Sequence, residues 1–320
     1  MNRILKLAAS IFLVVALCFT FALDNVASAA SNSNKTQDKK AMRLFRQSLM
    51  STVGDNKEIF HQFFIFLVPN FQGELEFNGK IDGHSLDIAG SFGLWFTGDD
   101  GKAIDMDLPF YIAQNGQNME VYYKTGNEWE KYIAPTLAAD LADVVASPTK
   151  AEIEEQIAMT KEVTILQDND SRCTLLVKLD GAKLADELKV EVKKNPADKG
   201  TADDAALQND FLSYLDKGLR NANIWYTWKI DKKNNRTSVI TLDLSSVIQE
   251  TALAALNDSK LELPDEFREI LETLAFYTDF KAYTTFLGSE AQSSLIIPQE
   301  VINSAKLAED LVAAEKLETK

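Results

Sequence analysis

One serine of this chain lies in a segment that imitates the turn of a serine hydrolase. Residues 89–93 read Ala-Gly-Ser-Phe-Gly, and His84 and Ser85 lie shortly before them. A hydrolase nucleophile of this type stands on a strained turn between a strand and a helix. Ser91 instead has the alternating pattern of a strand on both sides. We therefore predict that Ser91 is not catalytic and that the chain is not an enzyme; an esterase remains a hypothesis only for testing.

Residue types that could hold a metal ion are sparse. The chain has two histidines, His61 in an apolar run and His84 beside a turn, and neither lies at a zinc-ligand spacing. Asp168, Asn169 and Asp170 begin like a calcium loop. Arg172 and the lack of a glycine at the sixth position break that pattern. We predict no metal and no cofactor.

The charge balance excludes further classes of function. The sequence has 33 Lys and Arg against 48 Asp and Glu, a net charge of -15. Because phosphate binding needs an excess of basic residues, this balance argues against nucleic acid and against simple attraction to anionic lipid.

Cys173 alternates with Leu175 and Val177, which predicts a small buried hydrophobic residue rather than a reactive thiol.

The first 29 residues predict export. Arg3 and Lys6 precede an apolar run over residues 11–23, and Ala27-Ser28-Ala29 supplies the small residues that a signal peptidase requires. Asp24 ends the run before it is long enough for a membrane anchor. We expect cleavage after Ala29 and a protein of the periplasm or the exterior that does not span a membrane.

The mature chain is expected to be a single domain. Cys18 follows a bulky leucine where a lipoprotein-processing site requires a small residue, so we read it as part of the signal and expect no lipidation. Residues 30–40 are polar and predict a flexible leader. Removal of the signal changes the net charge to about -16. Residues 41–320 are long enough to bury one large core.

Residues 71–135 carry the clearest structural pattern, five segments in which apolar residues recur with period two. Turn-forming pairs such as Asn115-Gly116 separate the segments, which predicts a five-stranded antiparallel meander with one apolar face. Trp95 falls on the polar parity. The apolar positions are Leu75, Phe77 and Ile81, then Leu86, Ile88, Phe92, Leu94 and Phe96, then Ile104, Met106, Leu108, Phe110 and Ile112, then Met119, Val121 and Tyr123, and finally Trp129 and Ile133.

The rest of the chain alternates helices with hairpins and lacks the β-α-β order of a parallel dinucleotide-binding sheet. An amphipathic helix is predicted over residues 41–52, and the apolar run 59–68 is read as core or cavity lining. Further predicted elements are helices around 137–145, 152–159, 184–192, 211–219, 247–256, 264–274 and 301–317, hairpins at 163–179 and 224–244, a loop at 193–210, and strands at 276–287 and 294–298.

These features together resemble the bacterial carriers of the LolA and LppX type. The resemblance rests on the leading helix, the long meander, the helices between hairpins, the pattern Tyr-Lys-x-Gly-x-x-Trp-x-Lys-Tyr at residues 123–132 and Ile-Pro-x-Glu-Val at 297–301. It implies an α+β fold in which a strongly curved antiparallel sheet forms an incomplete β-barrel, with helices packed across the concave face. The lipoprotein cysteine common among relatives of this type is absent.

The resemblance also implies a function, an exported non-catalytic carrier of lipid, lipoprotein acyl chains or another apolar ligand in a central cavity. Transient contact with envelope proteins or the membrane surface would follow. The alternative is a structural or interaction protein of the cell envelope whose core is filled by its own side chains. The residues predicted to line a cavity are Phe77, Leu86, Phe92, Leu94, Phe96, Met106, Phe110, Met119, Val121, Trp225 and Trp228.

Overall fold

A computed structural model describes most of the chain after residue 37. The described residues are 38–51, 57–82, 85–97, 103–115, 118–134, 149–194, 202–259, 261, 264–287 and 297–307. They form two compact units by their internal contacts. Unit 1 takes residues 64–72 and 147–284 with the N-terminal part up to 54, and unit 2 takes 55–63, 73–146 and 285–320.

Seven helices and twelve strands are found in the described part of the chain. The helices are α1 (Lys39–Met50), α2 (Lys150–Ala158), α3 (Gly181–Lys194), α4 (Ala202–Asn221), α5 (Ser245–Leu256), α6 (Asp265–Tyr277) and α7 (Gln299–Ser304). The strands are β1 (Lys57–Val68), β2 (Phe71–Asp82), β3 (Ser85–Thr97), β4 (Ala103–Asn115), β5 (Asn118–Thr125), β6 (Glu128–Ala134), β7 (Thr160–Asp168), β8 (Arg172–Leu179), β9 (Trp225–Asp231), β10 (Arg236–Asp243), β11 (Asp279–Phe286) and β12 (Lys306–Leu307).

The strands follow one another in a single sheet in the order β12-β6-β5-β4-β3-β2-β1-β11-β10-β9-β8-β7. The sheet is mostly antiparallel, although β12 runs parallel to β6. It is open, because β12 and β7 stand at its two ends. The predicted α+β class with an open antiparallel sheet is therefore confirmed.

Unit 2 contains the meander that the period-two pattern predicts. Strands β3 and β4 pair continuously from Ile88 opposite Ile112 to Thr97 opposite Ala103. Strands β5 and β6 join through a two-residue turn in which Gly126 has a φ of 63°, a left-handed conformation that glycine adopts without steric cost. The meander of five strands from β2 to β6 is confirmed.

Unit 1 is built around the contact of α1 with its sheet strands. Asp38 caps the helix by accepting hydrogen bonds from the backbone N–H groups of Lys40 and Ala41 at 2.9 and 3.2 Å. Phe45 is 1% exposed, and its ring lies 5.3 Å from that of Trp228 in an edge-to-face contact. The indole N–H of Trp228 donates to the Ser48 hydroxyl at 2.9 Å. Aromatic packing and one buried hydrogen bond thus fix the helix on the sheet.

The strands of unit 1 bury one face by direct cross-strand pairing. Ile230 lies opposite Cys173, and Trp228 lies opposite both Leu175 and Ile240. Cys173 is buried, as its alternation predicts. Burial raises the pKa of its thiol, which disfavours the reactive thiolate.

Two predicted elements are wrong in their extent. The predicted loop at 193–210 is interrupted by α4, which begins at Ala202. The start of this helix has few large apolar residues, but its alanines favour a helix because alanine has the highest helix propensity. The helix predicted over 301–317 ends at Ser304, and Lys306 and Leu307 instead pair with Glu130 and Lys131.

Several predictions concern residues outside those described. The signal peptide at 1–29 and all but the last residues of the leader at 30–40 lie there, as do the predicted helix around 137–145 and most of the strand at 294–298. A single domain over 41–320 stays a prediction. Of the helices that the structure describes, none combines the length and the apolar character needed to cross a membrane.

Candidate ligand-binding site

The pairing register of unit 2 assigns side chains to two faces of the meander. Residues directly opposite each other in an antiparallel pair project to the same side of the sheet. Phe92 lies opposite Leu108, and Leu94 lies opposite Met106. Phe110 lies opposite Tyr123 on the next strand. We call the side that carries these residues the apolar face, and the side that carries Ser91, Tyr111 and Tyr122 the polar face.

Most of the predicted cavity-lining residues in unit 2 share the apolar face. Phe92, Leu94, Met106 and Phe110 lie on it directly, and Val121 joins them opposite Ile112. Met119 follows by alternation along β5. Leu86 and Phe96 have their backbone on the same parity of β3, and their side chains lie outside the described part of the structure. A role of these residues in ligand binding stays a prediction.

The two predicted tryptophans belong to unit 1 and point to opposite faces of its sheet. Trp225 and Trp228 are three residues apart on β9, so their side chains alternate. Trp228 is buried against α1, and Trp225 is half-buried opposite Asp243 and Lys178. A ligand on one face of these strands could therefore contact only one of them.

Strand β6, the fifth strand of the meander, carries its bulky apolar residues on the polar face. Trp129 lies opposite Lys124 and Ile133 lies opposite Glu120, which places both on the polar face. The prediction that they continue the apolar face is wrong. The tight turn at Gly126 sets the register of β6, and a shift of one residue reverses the facing of every side chain in a strand.

Burial on the apolar face is uneven. Leu94 and Met119 are buried, whereas Phe92, Met106 and Phe110 are only half-buried. Leu108 is 36% exposed and Tyr132 is 46% exposed. Several apolar side chains of this face are therefore only partly covered by the part of the chain that the structure describes.

The predicted list of cavity-lining residues omits some members of this face. Leu108 was placed on the apolar parity of its strand with Phe110, and that signal could have added it to the list. Phe60 packs edge-to-face on Phe77 with ring centroids 6.2 Å apart, but no pattern within its own apolar run shows which side it faces. Tyr123 donates to Glu130 at 2.8 Å, so one polar pair borders the apolar face on β5 and β6.

Two glycines of β3 differ sharply in the space around them. A Cβ added at Gly90 would lie 2.3 Å from the carbonyl oxygen of Glu76 and 2.5 Å from the Cβ of Phe77, whereas at Gly93 the nearest atom is 3.7 Å away. The contact with Phe77 Cβ places that residue on the apolar face beside Gly90. Glycine at position 90 thus lets β2 and β3 approach closely.

We expect Gly90→Ala to lower the free energy of unfolding by about 1–3 kcal/mol, because backbone atoms must move to admit the methyl group. Gly93→Ala is the matched control on the same strand, and we expect a change of less than about 1 kcal/mol. Urea unfolding followed by circular dichroism measures both. Equal effects of the two substitutions would contradict the close approach at Gly90.

A half-buried polar cluster occupies the polar face at β4, β5 and β6. Glu120 accepts hydrogen bonds from the Tyr122 hydroxyl at 2.7 Å and the Asn115 amide at 3.1 Å, and forms an ion pair with Lys131 at 2.7 Å. Burial would raise the pKa of Glu120, but donation from Lys131, Tyr122 and Asn115 outweighs it and holds the pKa below its usual value. The cluster has satisfied partners and thus serves to tie three strands together.

The lowered pKa of Glu120 predicts a stability change in acid. A carboxyl group with a depressed pKa in the folded state stabilises the fold above its unfolded pKa, and this contribution is lost as the pH falls through the folded pKa. We expect Glu120→Gln to cost about 1–3 kcal/mol at pH 7 and much less at pH 3. Urea unfolding at the two pH values measures the difference.

The control for this prediction is Glu128→Gln on β6. Glu128 pairs with Lys306 at 2.7 Å, and both side chains are about two-thirds exposed. Exposed pairs contribute little, so we expect less than about 0.5 kcal/mol at either pH. If Glu120→Gln had the same small effect, the cluster would not stabilise the meander.

Unit 1 has a cavity of about 520 Å³ near the C-terminal ends of α4 and α5. Its lining includes Lys217, Arg220 and Asp258. Arg220 bonds to Asp216 at 3.1 Å and contacts Asp186, and Asp258 accepts from the Tyr214 hydroxyl at 3.1 Å. Lys217 lies over the Tyr214 ring at 5.4 Å, so all three charged side chains already have partners within the protein, and the mostly polar lining residues do not suit an apolar ligand. Among the described residues, no group of His, Cys, Asp and Glu could hold a metal ion.

Two mycobacterial proteins are among the solved structures to which the chain is similar. The chain is similar to LprF from Mycobacterium bovis with 10% identity and a TM-score of 0.39, over 82% of this chain and 99% of that one. It is similar to the lipoprotein LppX of Mycobacterium tuberculosis with 12% identity and a TM-score of 0.35, over 80% of this chain and 99% of that one. No family model and no curated protein matches the chain.

The likeness to both structures is weak, since about one residue in ten is identical and both TM-scores are below 0.5. It carries no functional assignment.

Proposed function

We propose that the protein is an exported, non-catalytic binder or carrier of lipid or another apolar ligand, which it holds against the apolar face of β2 to β6. The observation that carries this proposal is the incomplete burial of that face. Phe92, Phe110 and Leu108 lie side by side on paired strands and remain partly exposed. An acyl chain laid along them would remove this apolar surface from water.

The energy of such binding is sufficient for a carrier. Burial of an acyl chain gains roughly 0.8 kcal/mol per methylene, so a chain of ordinary length gains about 10 kcal/mol before the cost of ordering. A bilayer offers nearly the same gain, which permits exchange in both directions. The Tyr123–Glu130 pair at the border offers a hydroxyl and a carboxylate to a polar headgroup. Lipids and the acyl chains of lipoproteins both fit this requirement.

The test is extraction of the purified full-length protein with organic solvent, followed by mass spectrometry of the extract. We expect co-purifying lipid in near-stoichiometric amount. Apo protein should then take up a fluorescent fatty acid that competes with the extracted lipid. Repeated absence of lipid, together with no uptake of the fluorescent fatty acid, would contradict the proposal.

A second candidate is a structural or interaction protein of the cell envelope with a filled core. Its support is in unit 1, where the apolar sheet face is already covered by α1. Phe45, Trp228 and Tyr226 are all buried there, with aromatic centroids 5.3 to 6.3 Å apart. If the meander were filled in the same way, the fluorescent fatty acid would not bind at all.

A further inference from the structure

Helix α6 exposes large apolar side chains along one side. Phe267, Ile270 and Tyr277 are 43%, 39% and 65% exposed, and with Leu274 they recur at positions i, i+3, i+7 and i+10. This spacing keeps them on one stripe of a helix. We call these four residues the α6 stripe. Single exposed apolar residues need no explanation, but a stripe three turns long indicates an interaction surface.

The inner side of the helix already has a partner. α6 packs beside α5, and Ala275 is buried. The amide of Gln249 on α5 donates to the carbonyl oxygen of Thr278 at 3.0 Å, just after the helix ends. The stripe therefore lies on a helix that the fold holds in place, and its exposure does not come from a loose end of the chain.

Helix α6 is mainly acidic. The helix has four carboxylates and one arginine, a net charge of -3. Glu266 precedes Ile270 by four residues, and Glu269 follows Glu266 by three on the same side of the helix, so the two carboxylates lie along one edge of the stripe. Within the described residues, no ion pair involves the charged side chains of α6. The border of the stripe is thus acidic.

The negative charge beside the α6 stripe determines which kind of partner can bind there. A second copy would bring its own acidic α6 against the first, and an anionic lipid surface would be repelled in the same way. A protein segment that places Lys or Arg beside apolar side chains matches both the stripe and its border. We propose that the α6 stripe is the docking site for a basic amphipathic helix of a partner protein. This site is separate from the apolar face and does not depend on the proposed ligand.

The probe is a synthetic amphipathic helical peptide of leucine and lysine, titrated calorimetrically into the full-length protein at physiological ionic strength. The double variant Phe267→Ser/Ile270→Ser should bind about tenfold more weakly or worse, because two apolar contacts are lost. Phe276→Ser is the matched control. Phe276 is 64% exposed on the same helix but lies half a turn away from Phe267. Its removal should leave the affinity unchanged within about twofold.

A second pair of measurements tests the charge. The variant Glu266→Gln/Glu269→Gln should bind the peptide more weakly and with less dependence on salt, and a leucine–glutamate peptide should not bind. Circular dichroism should show all variants folded, since the substituted side chains are exposed. The proposal is overturned if the stripe variant binds as well as the unchanged protein, or if the peptide does not bind. It is equally overturned if the stripe instead mediates binding to phosphatidylcholine vesicles or self-association in sedimentation. Lipid uptake on the apolar face should be the same in every α6 variant.

Discussion

Replacement of Phe45 by alanine is expected to lower the free energy of unfolding by about 3–5 kcal/mol. Phe45 is almost completely buried, and its ring contacts both Trp228 and Tyr226 at centroid distances of 5.3 and 6.3 Å. Truncation would leave a cavity between α1 and the sheet that the rigid aromatic neighbours cannot fill. Urea unfolding followed by circular dichroism, with tryptophan fluorescence as a second probe, measures the loss.

The matched control for Phe45→Ala is Gln47→Ala on the same helix. Gln47 is exposed, and its carbonyl oxygen, which accepts the N–H of Ser51, is unaffected by the substitution. Since alanine favours a helix, we expect a change within about 0.5 kcal/mol. A loss of less than about 1 kcal/mol for Phe45→Ala would show that α1 contributes little to the core of unit 1.

Replacement of Phe92 by asparagine is expected to weaken binding of an apolar ligand by about tenfold or more. Phe92 lies half-buried at the middle of the apolar face, directly opposite Leu108. The substitution removes about 1.5–3 kcal/mol of apolar contact and places an amide against the ligand without a hydrogen-bond partner. Displacement titration with a fluorescent fatty acid measures the change in Kd.

The neighbouring residue supplies the control for Phe92. Ser91 is also half-buried, but it lies opposite Pro109 on the polar face. Ser91→Asn introduces the same side chain on the other side of the sheet, so we expect ligand affinity to stay within about twofold. Equal weakening by the two variants would mean that the apolar face is not the binding surface and that both act through general loosening of β3.

Local patterns in the sequence determined the elements of the meander and most of its apolar face. Period-two alternation requires only that successive side chains of a strand point to opposite sides, so Phe92, Met106 and Phe110 could be grouped without a structure. The same reasoning failed for Trp129 and Ile133. Their strand alternates just as clearly, but the turn at Gly126 decides which parity meets which face.

Helices could also be predicted from the sequence where apolar residues recur at helical spacing. α1 lies within two residues of its predicted range, because Phe45 and Leu49 recur at helical spacing; its start at Lys39, where Asp38 caps the first turn, was not predicted. The start of α4 at Ala202 was missed, since a propensity signal without large apolar residues resembles a polar loop. The exposure of Phe267 could not be predicted, because an amphipathic stripe looks the same whether it is buried or free.

The sequence by itself thus determined an α+β chain with a long antiparallel meander and the apolar parity of its first four strands. Only the tertiary structure decided that Trp129 and Ile133 lie on the polar face and that Glu120, Tyr122, Asn115 and Lys131 meet in one cluster. The physical reason is the range of the interactions. Alternation and propensity act between neighbours along the chain, whereas facing and clustering depend on strand register, which pairs residues across strands.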